Sequence, residues 1–207
     1  MKTTFFFLYV LLYGGCHNEA ETITADPNLG GQCEGCEAIY ESPIPHEKLP
    51  YVDTLPDYFE AGPKMIVYGV VYKSDGKTPA PGVVIYAYHT DQEGLYSKGT
   101  GSEWGKRHGY IRGWVKSNNK GEYRMYTLRP APYPNTTFEA HIHVTIKEPG
   151  KKEYYIDEII FKDDKMVDKN HKFPDRGGPG LIEVKHKDGI QWAERNIYLG
   201  RNIPGYK

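Results

Sequence analysis

The sequence predicts an all-β fold, a β-sandwich of about eight short strands behind an irregular N-terminal arm, and three observations carry that expectation. Tyrosine occurs 18 times in 207 residues, and it suits half-buried strands, where the ring packs and the hydroxyl finds a polar partner. Apolar and β-branched residues come in short runs bounded by Gly, Pro, Asn and Asp. No segment carries a long apolar stripe at a period of about 3.6 residues with capping residues at its ends.

Val67 to Tyr72 and Val83 to Tyr88 read as the first two strands, with turn chemistry between them at Ser74 to Lys77 and Pro79 to Gly82. Tyr110 to Lys116 and Glu122 to Leu128 flank Asn118-Asn119-Lys120-Gly121 and read as a hairpin. Phe138 to Lys147, Glu153 to Phe161, Leu181 to His186 and Ile190 to Leu199 complete the set. Short strands spaced by Gly/Pro turns indicate a sandwich or a barrel. There is no internal repeat or low-complexity tract.

Hydrophobic residues are 39% and charged residues 26%, enough to bury a core and unlike a disordered chain. The net charge of -1 comes without a basic stripe, so nucleic acid is not an expected partner. Residues 1–15 read as a signal peptide: Lys2 starts it, Phe5 to Tyr13 is a short apolar run, and Gly14-Gly15 precede Cys16. That run is too short to span a bilayer. Gly14-Gly15-Cys16 resembles the lipobox of bacterial lipoproteins, with Tyr13 where that box usually has Leu. The expectation is an exported lipoprotein facing the periplasm or cell surface, anchored only by lipid on Cys16, with simple secretion as the alternative. Without residues 1–15 the chain has 25 basic against 27 acidic residues.

Residues 16–62 read as a tether and an arm, since Pro43, Pro45, Pro50 and Pro56 block regular structure; residues 63–207 form the main domain. Cys33-Glu34-Gly35-Cys36 could be half a zinc site, a redox motif or a disulfide. Export, the lack of a second C-x-x-C and the lack of a following βαβ pattern favour the disulfide.

The sharpest chemical feature is His141-Ile142-His143. Side chains alternate faces along a strand, so the two imidazoles project together and can grip one ion of Zn, Cu or Fe. A bare His-x-His is equally a pair of surface histidines. Eight residues upstream, Pro132-Tyr133-Pro134 restricts the backbone around a tyrosine. A tyrosinate ligand needs a strong Lewis acid, because the free phenol has a pKa of about 10; ferric iron meets that demand.

The stretch from Gly121 through Pro132-Tyr133-Pro134 to His141-Ile142-His143 resembles the intradiol ring-cleavage dioxygenases, relatives of protocatechuate 3,4-dioxygenase and catechol 1,2-dioxygenase. Gly82 to Ala87 followed by Gly94-Leu95-Tyr96, and Arg112-Gly113, resemble further family segments, so the likeness spans roughly residues 64–165. The Cys33 to Glu37 lead-in is similar to that of exported bacterial members. The resemblance implies Fe(3+) held by Tyr96 and His141 as equatorial ligands and by Tyr133 and His143 as axial ones, with hydroxide in the fifth position. It also implies a catechol-type substrate, O2 as co-substrate, and a muconate-type diacid as product. Tyr96 and Tyr133 are then the catalytic tyrosines, Tyr133 leaving with a substrate proton.

This chain departs from the family pattern in two places. Phe138 stands where the family's enzymes carry an arginine three residues before the first histidine, and Glu158 falls near an assisting glutamine. Arg112 or Arg129 are the candidate replacements for the missing cation. Rival readings are a cupin, using Glu148 with the two histidines, and a non-catalytic transthyretin-like module suggested by Gly69 to Gly82. A degenerate member that binds iron without turnover is a third. His89 and His108 read as hydrogen-bonded surface or edge groups or as pocket lining, and Trp104, Trp114 and Trp192 as packing. Lys162 to Lys165 reads as a solvated turn, and Arg176 to Gly180 as a loop that could edge the pocket.

Overall fold

The computed structural model describes residues 27–99, 101–168 and 174–207. The signal peptide, Cys16 and the tether up to residue 26 lie outside them. Eleven strands form: β1 (Val52–Thr54), β2 (Lys64–Tyr72), β3 (Val84–His89), β4 (Arg112–Lys116), β5 (Glu122–Leu128), β6 (His141–Lys147), β7 (Tyr154–Phe161), β8 (Leu181–Ile182), β9 (Val184–Lys187), β10 (Ile190–Glu194) and β11 (Ile197–Tyr198). The first sheet runs β1-β5-β2-β10-β9, with β11 also on β2, and the second runs β4-β3-β6-β7-β8. A sandwich therefore forms as expected, from more and shorter strands.

The core is where the alternation of both sheets points inward. Met65, Val67 and Val71 of β2 meet Ile85 and Ala87 of β3 and Ile142, Val144 and Ile146 of β6. Three sequence expectations change here. Tyr110 to Lys116 and Glu122 to Leu128 are not a hairpin: β4 pairs with β3, while β5 pairs with β1 and β2 in the other sheet. The turn itself is tight, since Asn118 Oδ1 accepts from the amides of Lys120 and Glu122. The strands part because buried Ser117 ties β4 to β3, accepting from the Val83 amide and donating to the Ala80 carbonyl. Leu181 to His186 splits at Glu183, its halves joining different sheets. Ile190 to Leu199 breaks at Arg195-Asn196, where Gly69 leaves no room for a Cβ, which would sit 2.1 Å from the Arg195 carbonyl oxygen.

The arm is more ordered than its prolines suggest. A 3₁₀ turn over Cys36–Glu41 buries Ala38 and Ile39 on the outer face of the second sheet, against Val84, Tyr86 and Trp114. Trp114 Nε1 donates to the Ile39 carbonyl at 2.9 Å. Cys33 and Cys36 are disulfide-bonded, with Cα atoms 5.7 Å apart. The chain then crosses to the first sheet, where β1 adds alongside β5 and Asp57 becomes buried. A short helix, α1 (Glu103–His108), capped by Ser102, packs beside the arm through Glu41. Trp114→Ala should therefore cost about 3–5 kcal/mol in urea unfolding, and an unchanged midpoint would mean that the arm is not docked on this ring.

Candidate metal centre

On β6 the core takes Ile142, Val144 and Ile146, which sends His141 and His143 together to the outer face of the second sheet. The neighbouring strand is irregular at that point. Ile142 pairs with Ile159 but Val144 pairs with Ile156, so His143 faces two residues, Asp157 and Glu158. A bulge of this kind re-aims side chains. It brings Glu158 Oε1 to 3.5 Å from His143 Nδ1. On the other side Tyr88 of β3 is the direct cross-strand partner of His143, and their rings stack with centroids 4.6 Å apart. His108 stacks on the far face of Tyr88 at 3.8 Å and 2°, and its Nδ1 meets the Tyr86 hydroxyl at 2.9 Å. His89 and His108 are thus both buried, contrary to a surface role, and His89 contacts Thr127 and the Thr90 carbonyl.

Tyr96 arrives on the loop after β3. Asp91 organises that loop by accepting from the amides of Glu93 and Leu95 and from the Ser97 hydroxyl. Tyr133 arrives on the loop between β5 and β6, and the two loops are joined. Thr90 Oγ donates to the Ala131 carbonyl at 2.6 Å, and Gln92 Nε2 to the Arg129 carbonyl at 2.7 Å. Gly94, at φ +77°, lets the loops touch; a Cβ there would lie 2.0 Å from the Pro132 carbonyl oxygen. The supposed solvated turn after β7 clamps both ends of the Tyr133 loop. Arg129 makes a bidentate pair with Asp163, both bonds 2.8 Å, and Asp164 accepts from the Ala140 amide at 3.0 Å.

The four side chains singled out in the sequence converge. Tyr96 Oη lies 2.5 Å from Tyr133 Oη and 2.9 Å from His143 Nε2. His141 Nε2 lies 3.2 Å from both Tyr133 Oη and His143 Nε2, and Tyr133 Oη is 3.4 Å from His143 Nε2. Ligands about 2.0–2.2 Å from a common ion sit about 3 Å from one another, which is this spacing. Tautomers sharpen the point. His141 Nδ1 is 2.8 Å from the Glu139 carbonyl, which can only accept, so Nδ1 carries the proton and Nε2 the lone pair. The Glu158 carboxylate makes the same demand of His143 Nδ1. Two lone pairs therefore face each other beside two phenols, an arrangement that a cation relieves, and anchoring of the far nitrogen is how metal-bound histidines are oriented.

Burial pushes the Tyr96 phenol well above its usual range, helped by its bond to Tyr133, and burial raises Tyr133 too. Burial and the neighbouring His143 hold the His141 imidazole below the usual range. Burial works to raise the Glu158 carboxyl, but hydrogen bonds from His143 and from its own backbone amide, with the two nearby imidazoles, together outweigh it and the group sits low. Without a cation the phenols are protonated; a bound cation inverts that logic. Among the described residues no cluster of three or more His, Cys, Asp or Glu side chains could hold a metal ion, so a centre here draws on the two tyrosines.

Tyr133, His141 and His143 floor an open cavity of about 310 Å³ whose walls are Phe138, Glu139, Glu158 and Ile160. That is the low end of small-molecule sites. Phe138 is 62% exposed. Neither candidate replacement cation reaches this cavity. Arg112 pairs with Glu41 at 2.6 Å on the arm, and Arg129 is taken by Asp163. Arg176 does edge the adjoining groove, as its loop suggested. Glu148 is buried among Tyr154 and Tyr206, accepting at 2.7 and 2.9 Å, which removes the cupin reading. Sequence reasoning missed Tyr88, Asp91, Asp163 and Asp164 as supports. Only Asp91 carried a local signal, as an Asp-x-x-Gly turn.

Two substitutions test this geometry. Gly94→Ala should lower thermal stability by at least about 1 kcal/mol, because the position needs a left-handed backbone; an unchanged melting point would sink the loop contact. Asp163→Ala should leave the fold intact in circular dichroism but speed proteolysis within residues 129–140, and equal cleavage rates would count against the clamp.

A family model described as a dioxygenase matches residues 39–175, a span that contains all four converging side chains. The dioxygenase domain of a dioxygenase carbohydrate-binding protein fusion from Streptomyces sp. SirexAA-E superposes with a TM-score of 0.56. It is 20% identical over 70% of this chain and 85% of that one. Chlorocatechol 1,2-dioxygenase from Pseudomonas putida gives 0.57 at 23% identity, over 76% and 69%. An intradiol ring-cleavage dioxygenase from Tetranychus urticae gives 0.52 at 18%, over 76% and 90%. At such identities these superpositions speak for the fold. The family match covers well over half of the chain, and the chain belongs to the dioxygenase family that this model describes.

Proposed function

We propose that this chain is a ferric-iron dioxygenase that opens a catechol-type ring between its two hydroxylated carbons with O2, giving a muconate-type diacid. Tyr96, Tyr133, His141 and His143 would hold Fe(3+). The observation that carries the reading is the meeting of two imidazole lone pairs and two phenol oxygens within 3.4 Å. Two phenolates offset much of the charge of a trivalent ion, which suits ferric iron better than zinc. When bound, such an ion supplies Lewis acidity that draws electron density from a catecholate and leaves the ring open to O2.

The chain's own groups divide the remaining work. His141 and His143 are held rigid through Glu139 and Glu158. Tyr96 sits deeper and is buttressed by Tyr88, with ring centroids 5.8 Å apart. Tyr133 lies on the cavity floor, so its phenolate oxygen can take a proton from a substrate hydroxyl. Phe138 and Ile160 offer apolar surface to an aromatic ring. Both atoms of O2 enter the product, so no external reductant is needed.

A second reading, iron binding without turnover, is favoured by one observation: no Lys or Arg is among the described residues that line the cavity. A bracing transthyretin-like module leaves the convergence of four donors unaccounted for. We further propose that the mature chain is exported and carries lipid on Cys16, on the strength of the short apolar run and Gly14-Gly15-Cys16.

The purified mature protein should be red-brown from phenolate-to-iron charge transfer, and a colourless protein with stoichiometric zinc after iron reconstitution would end the metal assignment. Tyr133→Phe and His141→Ala should each abolish or strongly shift the visible band. Tyr123→Phe should not, since that hydroxyl is spent on the Arg195 carbonyl in the core. If the coloured protein consumes no O2 with catechol, protocatechuate or hydroxyquinol, iron binding without turnover becomes the better reading.

A further inference from the structure

We infer that the cavity sorts catechols by charge: it admits neutral rings, favours rings bearing a protonated amine side chain, and rejects rings bearing a carboxylate. The inference rests on the catechol-cleaving reading above and adds a substrate class to it. The described walls offer two carboxylates, Glu139 and Glu158, two apolar side chains, Phe138 and Ile160, and no cation. Glu139 makes no ion pair with a described residue, and Glu158 has only His143 Nδ1, at 3.5 Å, as an ion-pair partner among the described residues. Both carboxylates also line the adjoining groove of about 360 Å³, so they flank the passage that a ring substituent would enter.

The groove beyond repeats the sign. Asp157 is 5% exposed and its Oδ2 has no hydrogen-bond partner. The one described cation there, Arg176, is turned away from a ligand. Its guanidinium lies 3.7 Å over the Tyr155 ring and donates to the carbonyls of Gly30 and Tyr155. A carboxylated ring would bring an anion into a partly dry space already lined by carboxyl groups. An ammonium group would meet the counter-charge it needs. Rejection through like charge is a usual device of specificity.

The test uses the iron-loaded mature protein at neutral pH with catechol, 3,4-dihydroxybenzoate and 3,4-dihydroxyphenethylamine. Kd is read anaerobically from the visible band and KM from O2 uptake. The benzoate should bind at least about tenfold more weakly than catechol, and the amine about threefold to tenfold more tightly, with both gaps narrowing at high salt. Glu139→Gln should shrink the amine-to-benzoate ratio by about threefold or more, and Phe138→Arg on the exposed wall should favour the benzoate. A wild-type protein that binds the benzoate as well as catechol, or a ratio unmoved by Glu139→Gln, overturns the inference and leaves the dioxygenase reading standing. No binding of any of the three overturns both.

Discussion

Two imidazole nitrogens with their lone pairs 3.2 Å apart repel one another unless a phenol hydroxyl or a cation meets them, and much of the structure holds them there. The hold begins at the far side of each ring. The Glu139 carbonyl and the Glu158 carboxylate take the Nδ1 protons, so neither ring can turn without losing a partner. Glu158 is available for this only because the bulge in β7 sets two residues against His143. Tyr88 and His108 then stack in turn behind His143. An electrostatic conflict that folding alone would avoid is thus built in, the local rule-breaking expected of a functional site.

The tyrosines depend on a different economy. Neither sits on a regular strand, and each must be delivered by a loop whose backbone groups need partners. The loops solve this together: Thr90 and Gln92 donate to the carbonyls of Ala131 and Arg129, and the Ala131 amide donates to the Asp91 carbonyl. Beneath them lies a buried chain of hydrogen bonds from Asp57 through Thr127 to His89. Burial pushes Asp57 up and His89 down, so the low-dielectric interior favours the neutral form of each. Asp57 belongs to the arm, so the arm braces the loop origins as well as covering Tyr86 and Trp114.

Much of this was legible in the sequence, and the failures have a common cause. Strand positions followed from β-branched and aromatic runs, and the shared face of His141 and His143 followed from alternation alone. The hairpin at Asn118 to Gly121 failed because turn chemistry is local, whereas the choice of sheet for each flanking strand rests on Ser117 reaching Ala80 and Val83. Lys162 to Lys165 looked solvated because nothing near it in sequence needs its aspartates. Their partners, Arg129 and Ala140, lie more than twenty residues away.

The sequence by itself determined the all-β texture and the pair of histidines on one strand face, which are matters of residue type and spacing along a single chain. Its resemblance to a known family was what singled out Tyr96, Tyr133, His141 and His143 together. Tertiary structure alone decided that the four donors meet, that Glu158 orients His143, that Arg112 and Arg129 are committed elsewhere, and that the cavity wall is acidic. Each of those depends on contacts between paired strands, loops or the arm that lie apart in sequence. No periodicity within one segment encodes them.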